Sequence, residues 1–197
     1  MKHAVIFCQP RETSFTSLVA KTYVLAVEKL GHQAIVRDLY RIAFNPCLGA
    51  EELPGAHFAP RGDVAAERSL LAGADVYALI YPLWLNSPPA MMKGYLERVF
   101  GFGFAYGGNG GSSQPLLTGR QLIAFSSSGA PLEWVEQTGA FAAVRTLFDS
   151  YFAQVCGLTP LDHVHFGNVI PGASEDFVQA RMIEVRAAVT RHFGGPA

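Results

Sequence analysis

Short apolar runs alternate along this chain with longer stretches whose apolar residues recur at helical spacing, and this alternation limits the fold more than any other property of the sequence. The runs lie at residues 3–8, 34–38, 76–81, 121–125 and 161–166, each too short for a core helix and suited to a buried strand. Between the first two, Phe15, Leu18, Val19, Thr22, Ala26 and Leu30 form the predicted inward stripe of a helix that stops at Gly31. Asp63 is placed to cap a short helix ending at Leu71, and Met91/Met92, Tyr95/Leu96 and Val99/Phe100 mark another helix. Phe141, Val144, Phe148, Phe152 and Val155 predict a long helix, and Ser174 caps a last one that carries Glu175 and Asp176 in its first turn and ends at Gly194. Strands separated by helices require crossover connections, so the expected fold is a doubly wound α/β domain with a parallel sheet and helices on both faces.

In such sheets ligands sit beyond the carboxyl ends of the strands, where the strand order reverses. That directs attention to residues 9–16, 82–89 and 126–131. The second of these is the most unusual: Tyr81-Pro82-Leu83-Trp84-Leu85-Asn86-Ser87-Pro88-Pro89 turns an apolar strand into a helix, with Ser87 expected as N-cap and the prolines in the first turn. The first loop offers Thr13, Ser14 and Thr16 hydroxyls beside the N–H groups of a helix start, an anion-binding environment that needs no lysine. It has neither the G-x-G-x-x-G nor the Walker pattern, which disfavours Rossmann-type dinucleotide binding and P-loop phosphoryl transfer. Residues 40–62 carry prolines and glycines without periodicity, and residues 101–111 are glycine-rich with interleaved aromatics, the expectation for a flexible rim.

The chain has 197 residues, 50% of them hydrophobic, enough for one domain spanning residues 1–197 with a substantial core. A net charge of −1 without a basic run leaves no footprint for nucleic acid. No apolar stretch approaches the roughly 20 residues of a membrane span. There is no secretory pattern at the start, so a cytoplasmic location is expected. Cys8, Cys47 and Cys156 fit reduced thiols, with Cys8 read as buried and structural. Residues 126–128 are serines followed by Gly129, but no nucleophile elbow surrounds them. His163 and His165 share one strand face. With no third ligand they read as hydrogen-bonded structural residues, and no metal site is expected.

Several motifs together resemble the NAD(P)H quinone dehydrogenase family. They are Pro82-Leu83-Trp84, then Pro89-Ala90-Met91-Met92-Lys93-Gly94-Tyr95-Leu96-Glu97-Arg98-Val99-Phe100, then Gly103-Phe104-Ala105-Tyr106. Ser14-Phe15-Thr16 resembles that family's Ser-Phe-Asn phosphate loop, Asp38-Leu39-Tyr40 its second strand end, and Ser127-Ser128-Gly129-Ala130 its Thr-Thr-Gly-Gly loop. The resemblance implies a flavodoxin-like sheet of order 2-1-3-4-5 and a flavin, FMN or FAD, with the smaller FMN favoured. It implies cofactor contacts from Gln9, Ser14, Phe15, Thr16, Pro82, Leu83, Trp84, Leu85, Asn86, Ser127, Ser128, Gly129 and Ala130. Phe104, Tyr106 and Trp134 would line the platform where nicotinamide and acceptor stack in turn. The implied activity is ping-pong hydride transfer from NAD(P)H through flavin N5 to a quinone-like acceptor, in a homodimer.

The sequence departs from that family in places. Gln9 stands where the family has histidine, Thr16 where it has asparagine, and Leu132 and Thr138 where its best-studied branch has a tyrosine and a histidine. The proton donor is therefore left unassigned. A flavodoxin-type electron carrier and a flavin-bearing regulatory subunit are the alternatives to the enzyme; the net charge of −1 argues against the strongly acidic docking face of a carrier.

Overall fold

The structure, a computed structural model, describes residues 1–108 and 114–195. The end of the glycine-rich segment expected as a rim lies outside the described residues. Strands β1 (Lys2–Phe7), β2 (Gln33–Asp38), β3 (Val76–Pro82), β6 (Gln121–Ser127) and β7 (Thr159–Phe166) form one sheet, and β4 (Tyr106–Gly107) pairs with β5 (Gln114–Pro115) beside it. The order is β2-β1-β3-β6-β7 with all neighbours parallel, which is the expected 2-1-3-4-5 order once the two short strands are set aside. Every residue of β3 is buried, as a central parallel strand requires.

Alternate residues of each strand feed two cores. Val5, Phe7, Ala78, Ile80, Ile123 and Phe125 meet α1 (Phe15–Lys29) and α7 (Glu175–Phe193) on one face. Ala4, Ile6, Tyr77, Leu79 and Tyr81 meet α2 (Gly62–Leu71), α3 (Ala90–Val99) and α6 (Phe152–Cys156) on the other. No helix among the described residues is long and apolar enough to cross a membrane.

Four local expectations are corrected. The buried stripe of α1 is Thr16, Val19, Ala20, Thr22, Tyr23 and Val27, with the predicted Phe15, Leu18 and Ala26 half-buried against the same core; the Tyr23 hydroxyl bonds His3 Nδ1 at 2.8 Å and anchors that face, while the predicted Leu30 is left exposed at the C-cap. Asp63 does not cap α2, whose N-cap is Arg61, because its carboxylate is taken by Arg98. Ser87 does not cap α3: its N–H and C=O close a tight turn with Trp84, and Pro89 holds the cap position. The long helix of residues 140–156 is three segments, α5 (Ala140–Val144), a π-helical stretch Arg145–Tyr151, and α6. The spacing of four between Val144, Phe148 and Phe152 suits either helix type, so the pattern concealed the wider turn. A short helix, α4 (Leu132–Gln137), follows the 126–131 loop.

Residues 40–62 are clipped to α3 by a buried charge. The Arg98 side chain is 0% exposed; its Nε and Nη2 donate to Glu52 at 2.9 Å each and Nη1 donates to Asp63 at 2.7 Å. The Asn45 carbonyl also accepts from Arg98, and the guanidinium lies 5.0 Å from the Phe44 ring centre. Burial works against the guanidinium charge, yet Glu52 and Asp63 outweigh it and its pKa rises. Gly94 completes the clip: a Cβ there would stand 2.2 Å from the Pro46 carbonyl oxygen, so only glycine lets the loop lie on α3. Replacing Arg98 with methionine strands the Glu52 carboxylate in the interior. The expected loss is about 3–5 kcal/mol of stability, read as a lowered urea midpoint.

Candidate functional site

Loops at the carboxyl ends of β1, β3, β6 and β7 enclose a cavity of about 560 Å³. The first wall is the start of α1. Ser14 is its N-cap: Ser14 Oγ accepts from Ser17 N at 3.0 Å and Ser14 N donates to Ser17 Oγ at 2.9 Å. With that pairing closed, the Phe15 and Thr16 N–H groups in the first turn have no intrahelical partner. They sit beside Gln9, Arg11 and Thr13, which line the same cavity.

Pro82, Leu83 and Trp84 form the second wall, and Ser127, Ser128 and Gly129 beside them the third. Adjacent strand ends are laced by Leu83 N–H to Ser127 O at 2.7 Å. Leu85 and Asn86 take φ of 50° and 56°, the left-handed region, at the tip of the Trp84–Ser87 turn. Asn86 Nδ2 donates to the Ala140 carbonyl at 2.9 Å, holding the strained tip to α5.

The fourth wall, Val169, Ile170 and Pro171, was not among the sequence candidates. This segment follows β7 and bonds along the 128–130 loop, through Val169 N–H to Ser128 O at 2.9 Å and Asn168 N–H to Ala130 O at 3.0 Å. Gly167 permits the approach, since a Cβ there would lie 2.4 Å from Leu132 N. Its sequence signal was the Gly-Asn and Pro-Gly punctuation just past a strand, the same signature that marked the other loops.

The remaining candidates divide. Leu85, Asn86, Ala130 and Trp134 border a neighbouring cavity of about 340 Å³ that shares Leu83, Ser128 and Gly129 with the first. Phe104 and Tyr106 are not brought to these loops. Phe104 packs against Phe100, with ring centres 5.8 Å apart, and Tyr106 lines a separate groove between α3 and α6 with Leu48, Phe148 and Tyr151. The turn that holds them away is pinned by Gly103 N–H to Tyr106 O at 2.7 Å.

Behind the 126–131 loop runs a continuous chain of polar side chains. Asp149 Oδ2 lies 2.8 Å from His163 Nδ1, and His163 Nε2 lies 2.7 Å from Ser126 Oγ. Ser126 Oγ lies 2.8 Å from His165 Nδ1, and His165 Nε2 lies 3.0 Å from Ser128 Oγ. Donor counting sets the polarity. An Asp149 carboxylate can only accept, so a neutral His163 ring carries its proton on Nδ1 and accepts from Ser126 at Nε2. Ser126 has one proton to give, so His165 donates to it from Nδ1 and presents Nε2 as acceptor to Ser128 Oγ, which also lies 3.2 Å from the Ala130 carbonyl oxygen. Both histidines are thus Nδ1–H tautomers. A register shift in β7 between the Leu122 and Ile123 pairings leaves Leu161 unpaired and puts His163 and His165 opposite Ala124 and Ser126, on the Asp149 face.

Burial, and secondarily His163, lowers the His165 pKa to about 4. Burial pushes the Cys8 thiol up to about 12, an inert structural thiol as expected. Among the described residues no cluster of three or more His, Cys, Asp or Glu side chains comes together as a metal site.

A family model described as "Flavodoxin-like fold" matches residues 1–189. The chain belongs to that family. It is 31% identical over 194 residues to a Haemophilus influenzae protein named "Uncharacterized NAD(P)H oxidoreductase", covering 97% of this chain and 95% of that one. Among solved structures, the NAD(P)H:quinone oxidoreductase from Methanothermobacter marburgensis superimposes with a TM-score of 0.84 at 26% identity, over 95% of this chain and 96% of that one. An FMN-dependent NADH-azoreductase from Bacillus anthracis in complex with FMN shares the fold at a TM-score of 0.73 and 16% identity, over 97% and 99% of the two chains.

In this flavodoxin-like chain two buried histidines make stability depend on pH. His3, buried first of all and then opposed by His32, and His165 both have folded pKa values of about 4 against an ordinary 6.5. Between those values the unfolded chain binds protons that the folded chain refuses, so stability is full above about pH 6.5 and falls on acidification toward about pH 4. Each group accounts for up to roughly 3 kcal/mol. Urea titrations across that window are expected to show the fall, with a shallower slope for His3→Gln; a flat profile would contradict it.

Proposed function

We propose that this protein is a flavin-dependent NAD(P)H oxidoreductase acting on quinone-like acceptors, with FMN as its flavin. The observation that carries the reading is the convergence of an unpaired helix start, an aromatic and proline wall, and a serine-glycine wall on one cavity. These residues fit the cofactor. The Phe15 and Thr16 N–H groups, with the Thr13 hydroxyl and the Arg11 guanidinium, suit a phosphate. Leu83, Trp84 and Ile170 offer apolar faces for a flat ring, and the backbone of Leu83 to Trp84 and Ser127 to Gly129 offers its edge polar groups. When bound there, a flavin supplies the hydride acceptor and donor between NAD(P)H and the acceptor molecule. FAD would need an adenine groove beyond the phosphate position, for which no residues are assigned, and FMN is therefore the form proposed.

The chain's own residues do the positioning. Ser14 and Ser17 hold the helix start rigid, the Asn86 to Ala140 bond holds the Trp84 wall, and the 167–171 segment braces the Ser128 loop. Support also comes from the NAD(P)H oxidoreductase names of the Haemophilus relative and the Methanothermobacter neighbour. Trp134 borders the adjoining cavity, which is the space proposed for the stacking substrate. A homodimer is part of the reading. The exposed Leu147 and Tyr151 beside the Tyr106 groove are the apolar surface that supports it, and light scattering giving a monomer mass at micromolar concentration would remove it.

Purified protein incubated with FMN is expected to retain it and to reduce menadione with NADH or NADPH, the released flavin being identified by mass spectrometry. Ser14→Glu puts a carboxylate against the phosphate position and is expected to weaken FMN binding at least about tenfold in a fluorescence titration. Failure of the wild-type protein to take up FMN or FAD would overturn the reading.

A further inference from the structure

We propose a second activity for this chain: hydrolysis of neutral aryl esters by acyl transfer to Ser128 Oγ, with His165 as general base. The inference goes beyond the oxidoreductase reading and does not rest on it. The serines before Gly129 have no nucleophile elbow, yet the fold supplies the partners that the run itself lacks. Ser128 Oγ lies 3.0 Å from His165 Nε2, and His165 Nδ1 lies 2.8 Å from Ser126 Oγ. His163 and Asp149 repeat the arrangement behind Ser126, at 2.7 and 2.8 Å. Ser126 is buried and out of reach, whereas Ser128 is half-buried and borders both cavities. With Nδ1 protonated, the His165 lone pair faces that one accessible serine, as a base activating a nucleophile must. The Ala130 carbonyl oxygen, 3.2 Å from Ser128 Oγ, can accept a hydrogen bond but cannot take the proton away.

The ester is assigned to the adjoining cavity of about 340 Å³, where Leu83, Leu85, Trp134 and Val135 surround Ser128. Among the described residues no charged side chain lines it, which selects neutral esters with a flat apolar leaving group. Gly129 and Ala130 line it too, and among the described residues neither N–H has a hydrogen-bond partner. Donors directly after the nucleophile suit the oxyanion of a tetrahedral intermediate. None of these residues belongs to the 9–16 loop, so the phosphate position proposed for the flavin is left free.

Burial, and secondarily His163, lowers the His165 pKa to about 4, so that ring by itself holds a serine proton poorly. The groups behind it remove the difficulty by carrying the charge inward. Phe141 lies over both rings, at 4.9 Å from His163 and 5.0 Å from His165, and keeps water from them. Asp149 and His163 line a cleft of about 110 Å³, so a charge on His163 rests beside a carboxylate that solvent can reach. Arg145 approaches Asp149 at 4.0 Å but is largely exposed, where solvent screens it.

The steps balance, and every proton enters and leaves at His165 Nε2. As Ser128 Oγ bonds to the acyl carbon, its proton passes to His165 Nε2, the His165 Nδ1 proton to Ser126 Oγ, and the Ser126 proton to His163 Nε2. His163 is then an imidazolium beside the Asp149 carboxylate, and the former carbonyl oxygen is an anion at the Gly129 and Ala130 N–H groups. The bond from the acyl carbon to the aryl oxygen breaks as the three shifts reverse, and His165 Nε2 returns the proton to the leaving oxygen. Phenol departs and the acyl group stays on Ser128. Water repeats the sequence: its proton goes to His165 Nε2, its oxygen bonds to the acyl carbon, and the proton comes back to Ser128 Oγ as the acid leaves. Ester and water have become phenol and carboxylic acid, with both histidines again Nδ1–H.

Full-length wild-type protein is expected to hydrolyse p-nitrophenyl acetate and to be labelled by a fluorophosphonate probe, with peptide mass spectrometry placing the adduct on Ser128. Failure of Ser128 to be labelled, or hydrolysis that survives Ser128→Ala, overturns the proposal. His165→Gln is expected to slow both reactions at least about a hundredfold. Ser126→Ala leaves the Ser128 and His165 pair in place. It is expected to slow acylation at least about tenfold and to turn a curved proton inventory, the sign of several protons moving together, into a linear one. A structural role alone would leave the inventory unchanged, and that result overturns the inward shift of charge. Independently of any variant, ¹⁵N-histidine spectra of wild-type protein at neutral pH are expected to show His165 as the Nδ1–H tautomer. An Nε2–H pattern leaves no lone pair facing Ser128 and overturns the assignment of the base. Failure to take up flavin bears on the oxidoreductase reading alone.

Discussion

β3 is bonded in parallel to β1 on one side and β6 on the other and is buried along its whole length, and the rest of the molecule is arranged around that requirement. A strand buried on both faces needs apolar residues throughout and helices above and below. Because the chain enters the sheet at β1, steps outward to β2, and returns to β3, strand order reverses between β1 and β3. The loops leaving these two strands diverge to opposite faces, and the space between them is the cavity. The Pro82 to Trp84 wall stands there because β3 is central, with β6 delivering its serine loop alongside.

Buried polar groups then set the finer geometry. Arg98 is the clearest case: a fully enclosed cation is tolerated because Glu52, Asp63 and a carbonyl surround it, and in return it draws a long irregular segment onto α3. The Asp149 to Ser128 chain plays the corresponding part at the other edge. Its inner groups, His163, Ser126 and His165, each bond a neighbour on either side, and the serine loop is held from behind. Low local polarity raises the cost of breaking either network, which makes both rigid.

Much of this was legible in the residues. Strand-length apolar runs alternating with helix-period segments specify parallel pairing because the physics is local: periods of two and near four select which face is apolar, and glycine, proline and capping residues end each element. The positions of Gln9, Ser14, Thr16, Pro82, Trp84 and Gly129 followed from the strand ends. The failures share a cause. Asp63 and Ser87 were read as caps from local preference, but Arg98 and the Trp84 carbonyl and N–H claimed them through contacts distant in sequence or closed by turn geometry. Phe104 and Tyr106 are a different case: they were named from motif resemblance as part of a homodimer site, and within the single chain Phe104 packs on Phe100 while Tyr106 lines the α3 and α6 groove.

The sequence by itself determined the fold class, the loops that face the cavity, and the absence of a tyrosine and histidine at residues 132 and 138. Only the tertiary structure decided that the 167–171 segment closes the cavity, that Arg98 holds residues 40–62, and that His163 and His165 join Asp149 to Ser128. Those facts depend on a one-residue shift in β7 and a widened turn in residues 145–151, which alter no local pattern yet change which side chains meet. Hydrophobic periodicity reports which face a residue occupies, whereas a hydrogen bond depends on distances of a few tenths of an ångström that packing alone sets.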